Sequence, residues 1–265
     1  MLENLNLPEK IKELVAGKNY TCDDMGKSQA KVLMYDDCVL KIEKASVKND
    51  ELVKMMRWLE GKVPVPKVIA YEKDAENQYL LMSRVTGKMS CDDYYMSRPK
   101  KLCELLAQAL KLLWSVDISD CPRRITLDDE LAEARYRVEN NLVDVSDAEP
   151  DTYGPNGFKN PMALLEWLEN NRPEREPVLS HGDFCLPNVL IEDGKLSGLI
   201  DLGDTAVNNK WLDIALCYRS LKHNADGTWG KKVYEDCKPE LLFEALGIEP
   251  DWEKIRYYIL LDELF

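Results

Sequence analysis

Asp183, Asn188 and Asp201 are the side chains whose types and spacing are best suited to joint chemistry. They lie in Leu179-Ser-His-Gly-Asp-Phe-Cys-Leu-Pro-Asn-Val-Leu-Ile191 and in Ser197-Gly-Leu-Ile-Asp-Leu-Gly203, where short apolar runs bracket polar loops. Strand-prone runs at each end of such loops are expected to hold the three side chains near one another. Phosphoryl transfer needs few protein groups: a carboxylate to orient and deprotonate an attacking hydroxyl, oxygen ligands for Mg²⁺, and a cation on the nucleotide phosphates. Asp183 suits the first task. Asn188 and Asp201 suit the second, because hard Mg²⁺ takes carboxylate and amide oxygens. Turn-forming and strand-ending uses of Asp and Asn are common, yet they leave the joint pattern unexplained.

The separation of Asp183 from Asn188 equals that of Asp and Asn in the protein-kinase catalytic loop H-R-D-x-x-x-x-N, and Asp201-Leu-Gly203 takes the place of D-F-G. Elements that would position these loops are legible on either side. Residues 7–16 have the spacing of a short amphipathic helix, 30–35 and 38–42 form a predicted hairpin about Asp36-Asp37, and 50–59 carry a helical stripe of Leu52, Met55, Met56 and Leu59. Val63-Pro-Val-Pro66 ends that helix, since proline lacks a donor N–H. Strands are predicted over 67–72 and 78–83. Beyond Gly87 the periodicity becomes helical, over 100–114, 128–142, 161–169, 211–222, 231–246 and 251–265, with a polar loop over 143–160 and a further strand over 196–202. The predicted fold is therefore α+β, with residues 1–84 as a strand-rich domain and 85–265 as a larger helical one.

The chain has 265 residues and a formal charge of −13, which argues against a general affinity for nucleic acid and favours a cationic ligand. Eight cysteines without a C-x-x-C spacing, and two histidines, make a zinc site a poor expectation and free thiols the simpler one. No stretch has the length and apolarity of a membrane span or a signal peptide, so a cytoplasmic protein is expected.

His181-Gly-Asp183, Asn188 and Asp201-Leu-Gly203 together resemble the signature of the aminoglycoside phosphotransferases. Trp58-Leu-Glu-Gly-Lys-Val-Pro-Val-Pro-Lys67, Asp117-Ile-Ser-Asp-Cys-Pro122, Lys210-Trp-Leu-Asp-Ile-Ala215 and Asp251-Trp-Glu-Lys-Ile-Arg-Tyr-Tyr-Ile-Leu-Leu-Asp-Glu-Leu-Phe265 are similar to its type III, 3′-directed members. The resemblance implies a protein-kinase-like two-lobed fold and transfer of the γ-phosphate of ATP, with GTP open as an alternative, to an aminoglycoside 3′-hydroxyl with Mg²⁺. It implies that Asp183 acts on the attacking hydroxyl and that Asn188 and Asp201 hold the metal. Lys41 would contact the nucleotide phosphates and Ser28 would cap them. The backbone of Ser83 and Val85 would bind adenine, with Ile200 packed on the ring. Glu149, Asp151, Asp262, Glu263 and Phe265 would meet the cationic acceptor beside Asp183.

Departures from the pattern bear on the acceptor and on Lys41. Leu52 stands where the family carries the glutamate that pairs with the strand lysine, so the expectation is either that Glu51 beside it serves through a shifted register or that the ion pair is absent. Asp204 replaces an arginine, and His223-Asn224 replace an acidic pair that touches the drug. A kinase with a different hydroxyl acceptor (an amino alcohol, a macrolide or another sugar) and a catalytically silent nucleotide-binding protein are the alternative expectations.

Overall fold

The computed structural model describes residues 7–23, 30–146, 148–230 and 232–265. The chain divides into two compact units. One runs to Lys88 and takes in Leu190–Gly203; the other comprises Met89–Val189 and Asp204–Phe265.

In the first unit, helix α1 (Glu9–Val15) precedes strands β1 (Thr21–Asp23), β2 (Lys31–Met34) and β3 (Cys38–Lys44). Helix α2 (Val47–Leu59) and strands β4 (Val68–Lys73) and β5 (Asn77–Ser83) follow. The strands form an antiparallel sheet in the order β1-β2-β3-β5-β4. Alternation along β3 sends Cys38 and Leu40 into a core with Ile11 and Val15 of α1, Leu33, Tyr35, Ala70 and Leu81. Lys41 and Glu43 therefore share the other face. The predicted hairpin forms, closed by the Tyr35 N–H donating to the Cys38 carbonyl at 2.8 Å. Helix α2 begins three residues earlier than expected because Ser46 caps it, accepting from the Asn49 N–H at 3.3 Å.

A second small sheet pairs β6 (Lys88–Met89), β8 (Val189–Glu192) and β9 (Lys195–Leu199) in the order β6-β8-β9. Asp193 and Gly194 both have positive φ (50° and 72°), the two-residue turn that suits a tight hairpin. This hairpin belongs to the same compact unit as the strands before Lys88. A Cβ on Gly198 would lie 2.8 Å from Val85 Cγ1 and 3.1 Å from the Pro64 carbonyl. The Leu199 N–H donates to that same carbonyl at 2.9 Å, and Thr86 donates to Glu192 at 2.7 Å.

The second unit contains α3 (Asp93–Met96), α4 (Pro99–Trp114), α5 (Leu127–Glu139), α6 (Pro161–Asn170), β7 (Pro177–Ser180), β10 (Ala206–Asn209), α7 (Lys210–Ala225), α8 (Leu241–Leu246) and α9 (Trp252–Asp262). Helix α4 packs on α8, α7 on α9 and α5 on α6, while β7 pairs antiparallel with β10. Helix α5 stops short of the expected residue 142, with Asn141 in a left-handed conformation at φ 55°. The helix expected over 231–246 is present only as α8. Before it, Tyr234 and Cys237 close turns and Pro239 admits no continuous helix. Lys231 lies outside the described residues.

Candidate active site

The loop after β7 is built around Asp213, which α7 places in its first turn with no exposed surface. Its carboxylate accepts from the main-chain N–H of His181 at 2.7 Å and of Gly182 at 3.0 Å. Burial pushes the Asp213 carboxyl up, while His181 and these two N–H donors oppose that shift. Gly182 is obligatory in this turn: its φ is +85°, and an added Cβ would lie 2.3 Å from the Asp204 carbonyl oxygen. Thr205 donates to the His181 carbonyl at 3.0 Å, closing the other side.

The turn presents Asp183 with both carboxylate oxygens engaged. Asn188 Nδ2 donates to Asp183 Oδ2 and to the Asp183 carbonyl, each at 2.9 Å. The Cys185 thiol donates to Oδ1 at 3.0 Å. Burial and the Asp183 charge push the Cys185 thiol far above its ordinary range, so it stays a protonated donor. A 3₁₀ turn at Leu186–Asn188 fixes the spacing. The Leu186 N–H donates to Ser220 Oγ of α7 at 3.0 Å, and the Leu186 carbonyl accepts from Ser90 at 2.8 Å. With its amide hydrogens turned to Asp183, Asn188 keeps its carbonyl oxygen as the end that can meet a cation.

An acidic cluster continues from this loop. Asp262, at the end of α9, pairs with Arg219 of α7. Burial pushes its carboxyl up, Arg219 pulls it down, and the charges of Asp183 and Asp204 push it up again. Glu263 accepts from the Glu149 N–H at 2.9 Å, and burial together with the Glu149 charge raises its carboxyl. Glu149 itself lies 2.5 Å from His223 Nε2 and 3.7 Å from Lys222. Burial works against its ionisation, but His223, Lys222 and Arg219 outweigh that and hold it below the usual range. Asp151 pairs with Arg256 at 3.2 Å on the surface. The main-chain oxygens of Leu264 and Phe265 accept from Arg137, leaving the Phe265 ring exposed.

The remaining predicted site residues belong to the strand-rich unit. Lys41 Nζ lies 3.0 Å from Glu43, two residues along the same strand face. Of the two expectations, pairing with Glu51 is not what forms: Lys41 pairs with Glu43, while Leu52 turns into the core of the unit and Glu51 stands exposed. Ser83 ends β5, where its hydroxyl accepts from the Lys67 N–H at 2.9 Å, and Val85 packs on Gly198. Ile200 follows β9, and Asp201 is exposed with φ 58°, outside ordinary strand geometry. Ser28 lies outside the described residues.

Residues 27–256 match the model of the phosphotransferase enzyme family. The chain belongs to that family. It is 40% identical over its whole length to an aminoglycoside 3′-phosphotransferase from Enterococcus faecalis and 39% to one from Staphylococcus aureus, each covered completely. Among solved structures, the aminoglycoside-3′-phosphotransferase of type VIII superposes with a TM-score of 0.79 at 25% identity, covering 97% of both chains. A Streptomyces rimosus aminoglycoside phosphotransferase in complex with ADP and streptomycin gives 0.77 at 23% identity, over 96% of this chain and 97% of that one. The fold is the α+β, kinase-like one expected from the sequence.

Within this phosphotransferase, the residues that hold the loop were the ones missed by sequence reasoning: Asp213, Ser220, Thr205, Ser90, Cys185 and Arg219. A signal existed for two of them. Asp213 and Ser220 are polar interruptions, seven apart, on the otherwise apolar face of α7. The Ser90 and Thr205 hydroxyls gave none. All eight cysteines are free, as the sequence led one to expect.

Proposed function

We propose that this chain is an ATP-dependent kinase that phosphorylates the 3′-hydroxyl of aminoglycosides and so inactivates them as antibiotics. Support comes from the Asp183–Asn188 arrangement, held by a fully buried Asp213, in a chain that matches aminoglycoside 3′-phosphotransferases from end to end. Asp183 orients the acceptor hydroxyl and takes its proton. The hydroxyl oxygen bonds to the γ-phosphorus while the bond from that phosphorus to the β,γ-bridging oxygen breaks, and ADP leaves. The Asn188 carbonyl oxygen and the Asp201 carboxylate fit Mg²⁺ by donor chemistry and would hold it. The metal supplies positive charge to the phosphate oxygens. Lys41 adds a cation for the phosphates, with Ser28 capping them. The Ser83 and Val85 backbone and the Ile200 side chain receive adenine. Asp262 and Glu263, with Glu149, Asp151 and Phe265 around them, form the acceptor side, and the reading places the protein in the cytoplasm with its ATP.

ADP release with Mg²⁺ and ATP, measured across aminoglycosides with and without a 3′-hydroxyl, tests this. Turnover is expected only with the hydroxyl present and should vanish in Asp183→Ala. Turnover indifferent to that hydroxyl, or found only with amino alcohols or macrolides, would replace the proposed acceptor.

A further inference from the structure

Asn188 can aim its amide only if the turn that carries it is held still, and that turn is gripped from outside at both ends. At its start, the Leu186 N–H donates to Ser220 Oγ of α7 at 3.0 Å, and the Leu186 carbonyl accepts from the Ser90 hydroxyl at 2.8 Å. At its end, the Ser90 N–H donates to the Val189 carbonyl at 2.8 Å. Pro187 and Asn188 lie between the two carbonyls that Ser90 holds, and the proline ring fixes φ at the first of them. Within the turn, the Asn188 N–H donates to the Cys185 carbonyl at 3.0 Å. Ser90, Leu186 and Ser220 have no exposed surface, so both hydroxyls are paired away from bulk water. Ser220 follows Asp213 by seven residues on one face of α7, and the same helix therefore steadies the loop at His181-Gly182 and again at Leu186.

We propose that Ser90 and Ser220 are positioning residues for phosphoryl transfer, acting through Leu186 to fix Asn188. Held in this way, Asn188 gives its amide hydrogens to the Asp183 carbonyl and to Asp183 Oδ2, each at 2.9 Å, and keeps its carbonyl oxygen for a metal. Removing either hydroxyl leaves one main-chain group of Leu186 short of a buried partner and loosens the turn. Asn188 then loses the single orientation in which it can serve Asp183 with one end and a cation with the other. Groups that orient a metal ligand from behind carry about 10- to 100-fold of metal affinity or activity. This inference rests on the proposed kinase activity, with Asn188 as a metal ligand.

Mn²⁺, which takes the same oxygen ligands as Mg²⁺, allows a test that needs no turnover. Its binding in the presence of ADP is followed by the electron paramagnetic resonance of the unbound ion, beside steady-state kinetics with Mg²⁺. Ser90→Ala and Ser220→Ala should each raise the Mn²⁺ dissociation constant about tenfold and lower kcat about tenfold, with acceptor KM unchanged. Ser90→Cys, close to serine in size but a weaker donor, should fall between native and alanine. In an Asn188→Ala background, where the ligand is already gone, neither serine substitution should weaken Mn²⁺ binding further. Native Mn²⁺ affinity in both alanine variants, or a tenfold loss that persists without Asn188, overturns the inference and leaves the kinase activity standing. Should the alanine variants fail to fold, Ser90→Cys decides: weakened Mn²⁺ binding supports the inference and native binding overturns it. Native enzyme without Mg²⁺-dependent turnover overturns the activity, and the inference with it.

Discussion

Asp183 is poised by what its neighbours donate. Asn188 and Cys185 each give one hydrogen bond to a different carboxylate oxygen, so the side chain has one orientation before any substrate arrives. Replacing it by asparagine keeps the shape and removes the proposed base; on that role kcat should fall about 10²- to 10⁴-fold with substrate KM little changed, read by steady-state kinetics. Gly182 is the residue on which that orientation depends. Gly182→Ala forces a Cβ onto the Asp204 carbonyl at a left-handed φ, so the variant should lose about 1–3 kcal/mol in thermal or denaturant unfolding and most of its turnover.

Helix α7 is the element that organises this half of the site. One of its faces carries Asp213, Ser220 and His223, which reach respectively the start of the loop, its 3₁₀ turn and the acidic segment at Glu149. Asp213→Ala would leave the N–H groups of His181 and Gly182 buried without acceptors, a loss of about 2–5 kcal/mol in denaturant unfolding. Asp213→Asn, which keeps one acceptor oxygen, should recover part of it. Helix α5 offers a control away from the loop. Its capping box joins Thr126 and Asp129 reciprocally, and Thr126→Ala should cost about 1 kcal/mol without changing KM.

At the scale of the whole molecule, two carboxylates away from the loop show pH acting with opposite signs. Burial drives the Glu130 carboxyl up to about 7, although Asn208 donates to it. The folded state therefore keeps this proton after the unfolded chain has lost it, and the stability it brings declines as pH rises from about 4.5 to 7, by up to about 3 kcal/mol. Chemical unfolding across that range should show the decline, and Glu130→Gln should flatten it. Burial also opposes ionisation of Glu176, but Lys210, Lys254 and Trp211 pull its carboxyl down to about 2, so its contribution is lost only as pH falls from about 4.5 toward 2. The net charge of −13 should make KM for a polycationic acceptor rise with added salt, because screening weakens that attraction.

The linear chain by itself determined the chemistry. Asp183, Asn188 and Asp201 stand out as candidates because phosphoryl transfer tolerates few residue types and the two in one loop must keep a fixed spacing. Helices such as α4 and strands such as β3 were legible for a similar reason: burial on one side imposes a period of 3.6 or 2 on the residues themselves. Tertiary structure alone decided which distant groups meet. Lys41 pairs with Glu43 and not Glu51, the hairpin of β8 and β9 packs with the strand-rich unit, and Glu149 meets His223 across 74 residues. Such partners are chosen by the packing of whole elements, which sets what each side chain can reach, and spacing along the chain records nothing of that distance.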